Sequence, residues 1–118
     1  MEISNQCVTI SFDFDGTLSI PSVQLYAKTL IDEGYNVIVT TTRHEKYLNQ
    51  DLIKVVDKLG INKIVYTNGD KKHFFMDGVD LHLDNDDLEL RDINRNTYTE
   101  VVNVTDKEWN ELCMNLLN

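Results

Sequence analysis

Cysteine is scarce in this chain of 118 residues, which contains only Cys7 and Cys113. Two cysteines do not build the disulfide framework that stabilises many small secreted domains. Cys7 lies in an apolar strand-like segment and Cys113 on the apolar side of a helical segment, so we expect both to be buried free thiols.

Long apolar runs are lacking as well. No stretch of 18 apolar residues occurs, which excludes the usual form of a membrane-spanning helix. Residues 1–6 lack the charged-then-apolar pattern of a signal peptide. We therefore expect a cytoplasmic protein without a membrane partner.

Basic residues are few: 11 Lys and Arg stand against 20 Asp and Glu, and the formal net charge is −9. This charge repels nucleic acid and anionic membranes at long range, which disfavours a polynucleotide partner. It also suggests that some of the carboxylates cluster around a cation.

The sequence does contain a regular alternation of strand-like and helix-like segments, and 42% of its residues are hydrophobic. This alternation predicts one domain, residues 1–118, with an α/β fold: a three-layer Rossmann-like sandwich around a mainly parallel five-stranded sheet. The predicted strands are 7–14, 36–42, 63–67, 79–84 and 98–104. The predicted helices begin at Pro21, span an apolar stripe over 48–59, cover 70–76, and begin at Thr105, where Glu108 would complete a capping box.

Polar residues stand at the ends of the predicted strands. Active sites of open parallel sheets lie at the carboxyl ends of their strands, so these residues should meet. They are Asp13 and Asp15 after the first strand, Thr41 after the second, Lys71 or Lys72 after the third, and Asp84 at the end of the fourth, with Asp86 and Asp87 behind it.

These residue types are those that phosphoryl transfer requires. One aspartate can attack phosphorus, while a second protonates the leaving oxygen and later deprotonates water. Asp13 and Asp84, on neighbouring strands, could bind Mg²⁺ through carboxylate oxygens, and the ion would relieve their repulsion. Thr41 and a lysine would neutralise and orient the phosphoryl oxygens. Gly16 permits the turn that brings Asp13 and Asp15 together, and Thr17 can cap it.

Four segments, in this order, resemble the motifs of the haloacid dehalogenase-like (HAD) phosphatase superfamily. The first is Asp13-Phe14-Asp15-Gly16-Thr17, which is fairly specific. The second is 37–43, where the Thr-x-Arg pattern favours Thr41 as the hydroxyl, with Thr42 next. The third is Lys72 or Lys71, and the fourth is the acidic run 83–87, in which Asn85 stands where similar runs often have aspartate.

The resemblance implies a role for each matching residue. Asp13 would be the nucleophile and a ligand of Mg²⁺, and Asp15 the general acid/base, with its main-chain carbonyl also on the metal. Asp84 would be a further ligand, supported by Asp86 or Asp87. Gly16, Thr17, Thr42 and Arg43 would contact substrate, with Arg43 able to hold a second anionic group. His44, His73 and His82 show no metal-ligand spacing, so we expect surface or packing roles for them.

The two positions where this superfamily carries cap domains have no room for one, because residues 18–20 and 68–70 are short links. We therefore expect a capless phosphohydrolase with an open site, acting on a phosphorylated small metabolite or a nucleotide. A homo-oligomer in which a neighbour forms the lid is compatible with this expectation.

Other functions remain open at this point. They are a phosphate-binding or regulatory protein without turnover, and a polynucleotide or phosphoprotein phosphatase that uses the open site. A signalling receiver domain fits less well, because Thr67-Asn68 stands where its phosphoacceptor aspartate would be.

Overall fold

The computed structural model describes residues 8–118, and the prediction for Cys7 lies outside them. Five parallel strands form one sheet in the order β3-β2-β1-β4-β5. The strands are β1 Thr9–Phe12, β2 Asn36–Thr41, β3 Lys63–Tyr66, β4 Leu81–Asp84 and β5 Glu100–Asn103. The α-helices are α1 Pro21–Asp32, α2 Gln50–Leu59, α3 Asp87–Asn96 and α4 Trp109–Leu117, and a short 3₁₀ helix covers Lys72–Phe75. The predicted three-layer α/β architecture is confirmed.

The two faces of the sheet are covered by different helices. The larger apolar cluster joins α1, α2 and α4 to one face, where Phe12, Val39 and Leu83 are fully buried. A smaller cluster, which includes Met76 and Ile93, covers the other face beneath the 3₁₀ helix and α3. Strands covered on both faces read as nearly continuous apolar or β-branched runs, as β2 does.

Two elements differ from the prediction. Helix α3 was not predicted, because only Leu90 and Ile93 are buried along its charged sequence, which is too few for a clear helical stripe. Helix α4 begins at Trp109 and not at Thr105. The Thr105 hydroxyl hydrogen-bonds the Asn103 side chain (2.7 Å), so it does not cap the helix, and the predicted capping box is wrong.

The strand order fixes where a ligand would bind. The chain moves outward from β1 through β2 to β3 and then crosses to β4 on the other side of β1. Open α/β sheets bind ligands at the carboxyl ends of the strands where the order reverses in this way. That point lies between β1 and β4, whose ends carry Asp13 and Asp84.

Both links at the positions where a cap domain would be inserted are short in the structure. Residues 19–20 join the turn after β1 to α1, and residues 67–71 join β3 to the 3₁₀ helix. Neither link can contain a cap domain. Within residues 8–118, no helix has the length and apolar character needed to cross a bilayer.

Candidate active site

The centre of the candidate site is a buried ammonium group between two carboxylates. Lys72 Nζ lies 2.7 Å from Asp13 Oδ1 and 2.6 Å from Asp84 Oδ2. The Lys72 side chain is 3% exposed, and those of Asp13 and Asp84 are 10% and 1% exposed. The main-chain N–H of Lys72 donates to Glu89 Oε2 at 3.3 Å, so α3 helps to hold the 3₁₀ helix in place.

Burial and charge act differently on the two carboxylates. Burial raises the pKa of Asp13 to about 6, against the opposing effect of the Lys72 ammonium. Burial also acts to raise the pKa of Asp84, but its hydrogen bond from His82 and the Lys72 charge together lower that pKa to about 2. For Lys72, burial disfavours the ammonium, but the two carboxylates outweigh it and raise the pKa. The surroundings therefore favour the ionised forms of Asp84 and Lys72, whereas burial favours the protonated form of Asp13.

The turn after β1 presents Asp13 and Asp15 to the same edge of the sheet. Gly16 has φ = +73°, which other residues rarely adopt, so the turn predicted at this position is present. Thr17 is fully buried, and its hydroxyl donates to Asp13 Oδ2 at 3.1 Å. Asp13 thus has Oδ1 on Lys72 and Oδ2 on Thr17.

Asp15 belongs to a second, exposed cluster with Arg43 and Asp51. The Arg43 guanidinium donates to both Asp15 carboxylate oxygens, at 2.7 and 3.0 Å, and to both oxygens of Asp51 at the same distances. It also lies over the Phe14 ring, 5.0 Å from its centroid. The side chains of Asp15 and Asp51 are 62% and 61% exposed. Hydrogen bonds from Arg43 lower the pKa of Asp51 to about 2.

Thr41 ends β2 and is buried, and its Oγ1 accepts a hydrogen bond from the Arg43 main-chain N–H at 3.2 Å. Thr42 follows the strand and is exposed. Of the two threonines, Thr41 is therefore the one at the end of β2.

Three sequence-predicted residues lie away from the central group. Lys71 is exposed and faces Asp92 at 3.9 Å. Asp86 caps α3, accepting from the N–H groups of Leu88 and Glu89. Asp87 accepts from the Asn103 amide at 2.6 Å. Of the two lysines, Lys72 is the one bonded to Asp13 and Asp84. The side chains of Asp86 and Asp87 bond elsewhere, although the Asp86 main-chain N–H donates to Asp84 Oδ1 at 3.2 Å.

His82 is a residue that the sequence argument missed. It is fully buried; its Nε2 lies 2.8 Å from Asp84 Oδ2, and its Nδ1 lies 2.9 Å from Ser11 Oγ. Ser11 Oγ lies in turn 2.7 Å from Thr40 Oγ1. Burial lowers the pKa of His82, against the effect of the Asp84 carboxylate. The available signal was its position two residues before Asp84, because alternate strand residues share a face.

Hard cations such as Mg²⁺ bind to oxygen ligands, and the site contains several oxygens close together. Within residues 8–118, no three side chains of His, Cys, Asp or Glu form a metal-binding group. However, Asp13 Oδ2 and the main-chain oxygen of Asp15 each lie 3.1 Å from one terminal atom of the Asn85 carboxamide, and Asp84 Oδ1 lies 3.3 Å from it. A Cβ on Gly16 would collide with this carboxamide, so glycine leaves the space open. Two carboxylate oxygens and a main-chain carbonyl oxygen therefore converge beside the Asn85 carboxamide, and oxygens of these types are the ligands that Mg²⁺ prefers.

Comparison with known proteins adds no relative. No family model matches the chain, and neither a curated protein nor a solved structure matches it. The functional argument therefore depends on the geometry of the site and on the resemblance of its motifs.

Proposed function

We propose that this protein is a magnesium-dependent phosphomonoesterase that forms an aspartyl-phosphate on Asp13. The observation that carries the proposal is the position of the Asp13 carboxylate at the sheet's switch point. One of its oxygens, Oδ1, is bound to the buried Lys72 ammonium. The other, Oδ2, lies beside the Asn85 carboxamide, as do Asp84 Oδ1 and the Asp15 carbonyl oxygen. This division suits a nucleophile that attacks through Oδ1 while Oδ2 is held.

In the first step, Asp13 Oδ1 attacks phosphorus, and the bond between phosphorus and the leaving oxygen breaks. The Lys72 ammonium, 2.7 Å from Oδ1, lies close enough to neutralise charge on the phosphoryl oxygens as they approach. The Thr41 hydroxyl at the end of β2 is the group we assign to a further phosphoryl oxygen. In the second step, water attacks phospho-Asp13 and releases inorganic phosphate.

Asp15 is the proposed proton carrier in both steps. This role requires the ion pair between Asp15 and Arg43 to open first. In the structure both Asp15 carboxylate oxygens accept from Arg43, whereas a general acid must turn one of its oxygens, with a proton, towards the leaving oxygen. We infer that Asp15 turns away from Arg43 when substrate binds. Its large exposure leaves room for this motion. Arg43 would then be free to hold an anionic oxygen of the substrate.

Asp13 Oδ2, Asp84 Oδ1 and the Asp15 carbonyl are the groups that would hold Mg²⁺. When bound, the ion would supply positive charge that screens the anionic nucleophile from the anionic phosphate.

The substrate class follows from the openness and charge of the protein. Asp15 and Asn85 are both exposed, and the links at the cap positions are short, so the site opens to solvent. A net charge of −9 offers little to a polynucleotide backbone. A phosphorylated small metabolite or a nucleotide fits these features best.

The proposal is tested by magnesium-dependent hydrolysis of p-nitrophenyl phosphate, followed by a panel of phosphorylated metabolites, nucleotides and 5′-phosphorylated oligonucleotides. Wild-type protein should turn over with Mg²⁺ and stop with EDTA, and Asp13→Asn should fall to background. The matched control is Asp57→Asn on the exposed side of α2, which should keep full activity. Binding of phosphate esters without turnover would instead support a regulatory protein.

A further inference from the structure

The Arg43 guanidinium has two hydrogen-bonding edges, and an aspartate occupies each of them. Nε and Nη2 donate to Asp15 at 3.0 and 2.7 Å, while Nη1 and Nη2 donate to Asp51 at 2.7 and 3.0 Å. The Phe14 ring lies 5.0 Å from the guanidinium carbon. The Arg43 side chain is only 22% exposed, although both aspartates are more than half exposed. A ligand therefore reaches this guanidinium by replacing a carboxylate.

The two aspartates differ in how firmly they are held. Asp51 lies in the first turn of α2, where the helix dipole favours a negative charge. Its Oδ1 also accepts from the Leu52 main-chain N–H at 2.9 Å. Within residues 8–118, the Asp15 carboxylate accepts hydrogen bonds from Arg43 alone. Asp15 is thus the carboxylate that a competing anion would displace, and Asp51 is the one that would keep Arg43 in place.

Arg43 also lies on the side of the site where the leaving group of a bound ester would be. In-line displacement places the nucleophile and the leaving group on opposite sides of phosphorus. Because Asp13 is buried, a leaving group opposite to it would point outward, towards the exposed cluster. The transferred phosphoryl group would instead lie against Lys72 and Thr41. Arg43 is therefore placed to contact the rest of the substrate.

We propose that the Nε–Nη2 edge of Arg43 is a subsite for a second anionic group, a carboxylate or a phosphate, on the leaving group of the substrate. This group replaces Asp15 on the guanidinium, while Asp51 and the Phe14 ring hold Arg43 in position. The substrates selected are phosphate monoesters that carry a second anion. The inference rests on the proposed function, and it specifies the substrate class and the event that opens the ion pair.

The chemistry of the two partners matches this exchange. The two N–H donors on one edge of a guanidinium fit two oxygens of a carboxylate or a phosphate. An anion that accepts from both donors compensates Arg43 for the loss of Asp15. An ester with an uncharged leaving group offers no replacement, so two charge-assisted hydrogen bonds would be lost when Asp15 turns away. Once released into solvent, Asp15 takes up the proton that it then gives to the leaving oxygen.

Matched pairs of phosphate esters test the proposal through the ratio of their kcat/KM values with Mg²⁺. 3-Phosphoglycerate has a carboxylate that glycerol 3-phosphate lacks, and fructose 1,6-bisphosphate has a second phosphate that fructose 6-phosphate lacks. Wild type should prefer the ester with the second anion in at least one pair by about 10-fold or more, as expected of hydrogen bonds between charged groups. The pair that shows the preference distinguishes a carboxylate from a phosphate.

Variants of the exposed cluster assign the preference to Arg43. It should disappear in Arg43→Gln and stay in Arg95→Gln, which makes the same change at an exposed position in the last turn of α3. Asp51→Asn should reduce it by raising KM for the ester with the second anion, whereas Asp57→Asn, on the exposed side of α2, should not. An arginine that only contacts the transferred phosphoryl group predicts equal losses for both members of a pair.

Calorimetric titration of Asp13→Asn with the same esters and Mg²⁺ measures binding without turnover. The ester with the second anion should bind more tightly, and the difference should vanish when Arg43→Gln is added. Equal affinities within both pairs, or equal losses for both members in Arg43→Gln, would overturn the subsite even if wild type hydrolyses phosphate esters. Absence of turnover by wild type, with the difference in affinity retained, would instead overturn the proposed function and support the anion subsite alone.

Discussion

Two clusters near the carboxyl ends of the strands share one charge pattern, a single cation between two aspartates. In the buried cluster Lys72 lies between Asp13 and Asp84, and in the exposed cluster Arg43 lies between Asp15 and Asp51. The side chains of the buried cluster are 10% exposed or less, whereas both aspartates of the other are more than half exposed.

The same charge pattern has different consequences in the two clusters, because one is buried and the other is exposed to solvent. A buried charge that loses its partner remains desolvated and uncompensated, so each member of the buried cluster depends on the others. An exposed pair is screened by solvent and can open at little cost. The buried cluster is therefore suited to hold Asp13, the proposed nucleophile, in one position. The exposed cluster is suited to release Asp15 for the proton transfer that we propose.

Removal of the buried cation should have the largest effect on stability. Lys72→Met leaves two buried carboxylates without their common partner, and breaking such a group typically costs about 3–5 kcal/mol of unfolding free energy. Urea unfolding in EDTA measures this loss, and turnover should disappear as well. Lys71→Met, with the same change on the neighbouring exposed lysine, should shift stability by less than about 0.5 kcal/mol. Equal losses in the two variants would contradict the assignment of Lys72.

Removal of the support beneath Asp84 should have a smaller effect. His82→Ala deletes one of the two partners of Asp84 Oδ2 and one of the two partners of Ser11 Oγ in a fully buried place. A hydrogen bond to a charged group is typically worth about 1.5–3 kcal/mol, so unfolding free energy should fall by about that amount. The exposed histidine variant His44→Ala is the control for urea unfolding. If His82→Ala unfolds like His44→Ala, the buried chain of hydrogen bonds does not support Asp84.

The exposed cluster should show the smallest effect, and a dependence on pH. The pKa of Asp51 is lowered in the folded protein from its ordinary value of 3.8 to about 2. A lowered folded pKa gives stability that is present above the ordinary value and is lost as pH falls through the folded one. Because Asp51 is exposed, the contribution should be about 0.2–1 kcal/mol.

The difference in unfolding free energy between wild type and Asp51→Asn measures this contribution. It should be largest near neutral pH and shrink as pH falls from about 4 towards about 2. A difference that stays constant over this range would show that the ion pair with Arg43 does not stabilise the fold.

The contrast between the clusters also explains what could be predicted from the sequence. The strands were found because β-branched and apolar runs mark buried parallel strands, and Asp13 and Asp84 because they end two such runs. Helix α3 was missed because Leu90 and Ile93 are its only buried residues. From the sequence alone, the cap Asp86 and Asp87 in the first turn of α3 are predicted to support a metal site.

Finer assignments needed three-dimensional contacts. Lys71 and Lys72 are adjacent, and only the start of the 3₁₀ helix decides which of them points inward. The link from His82 to Thr40 through Ser11 joins three strands, which a search for local motifs does not detect. The three acceptors around Asn85 come from the ends of β1 and β4, so their convergence is a property of the folded sheet.

The most direct test of the central claim removes the Asp15 carboxylate from the exposed cluster. It then detects a phosphoryl group on Asp13 in the buried cluster. The amide in Asp15→Asn can neither donate a proton to the leaving oxygen nor accept one from water. Multiple turnover of Asp15→Asn should therefore fall by about 10²–10⁴-fold. The aryl oxide of an aryl phosphate can leave without protonation, so the first step on an aryl phosphate should survive better than that on an alkyl phosphate. Hydrolysis of phospho-Asp13 should then become limiting.

Asp15→Asn mixed with p-nitrophenyl phosphate and Mg²⁺ should therefore give a burst of p-nitrophenol. Acid quench and peptide mass spectrometry should find one phosphoryl group on Asp13, and none in Asp13→Asn. No burst and no phosphoryl group on Asp13, with equal losses for aryl and alkyl phosphates, would contradict the account.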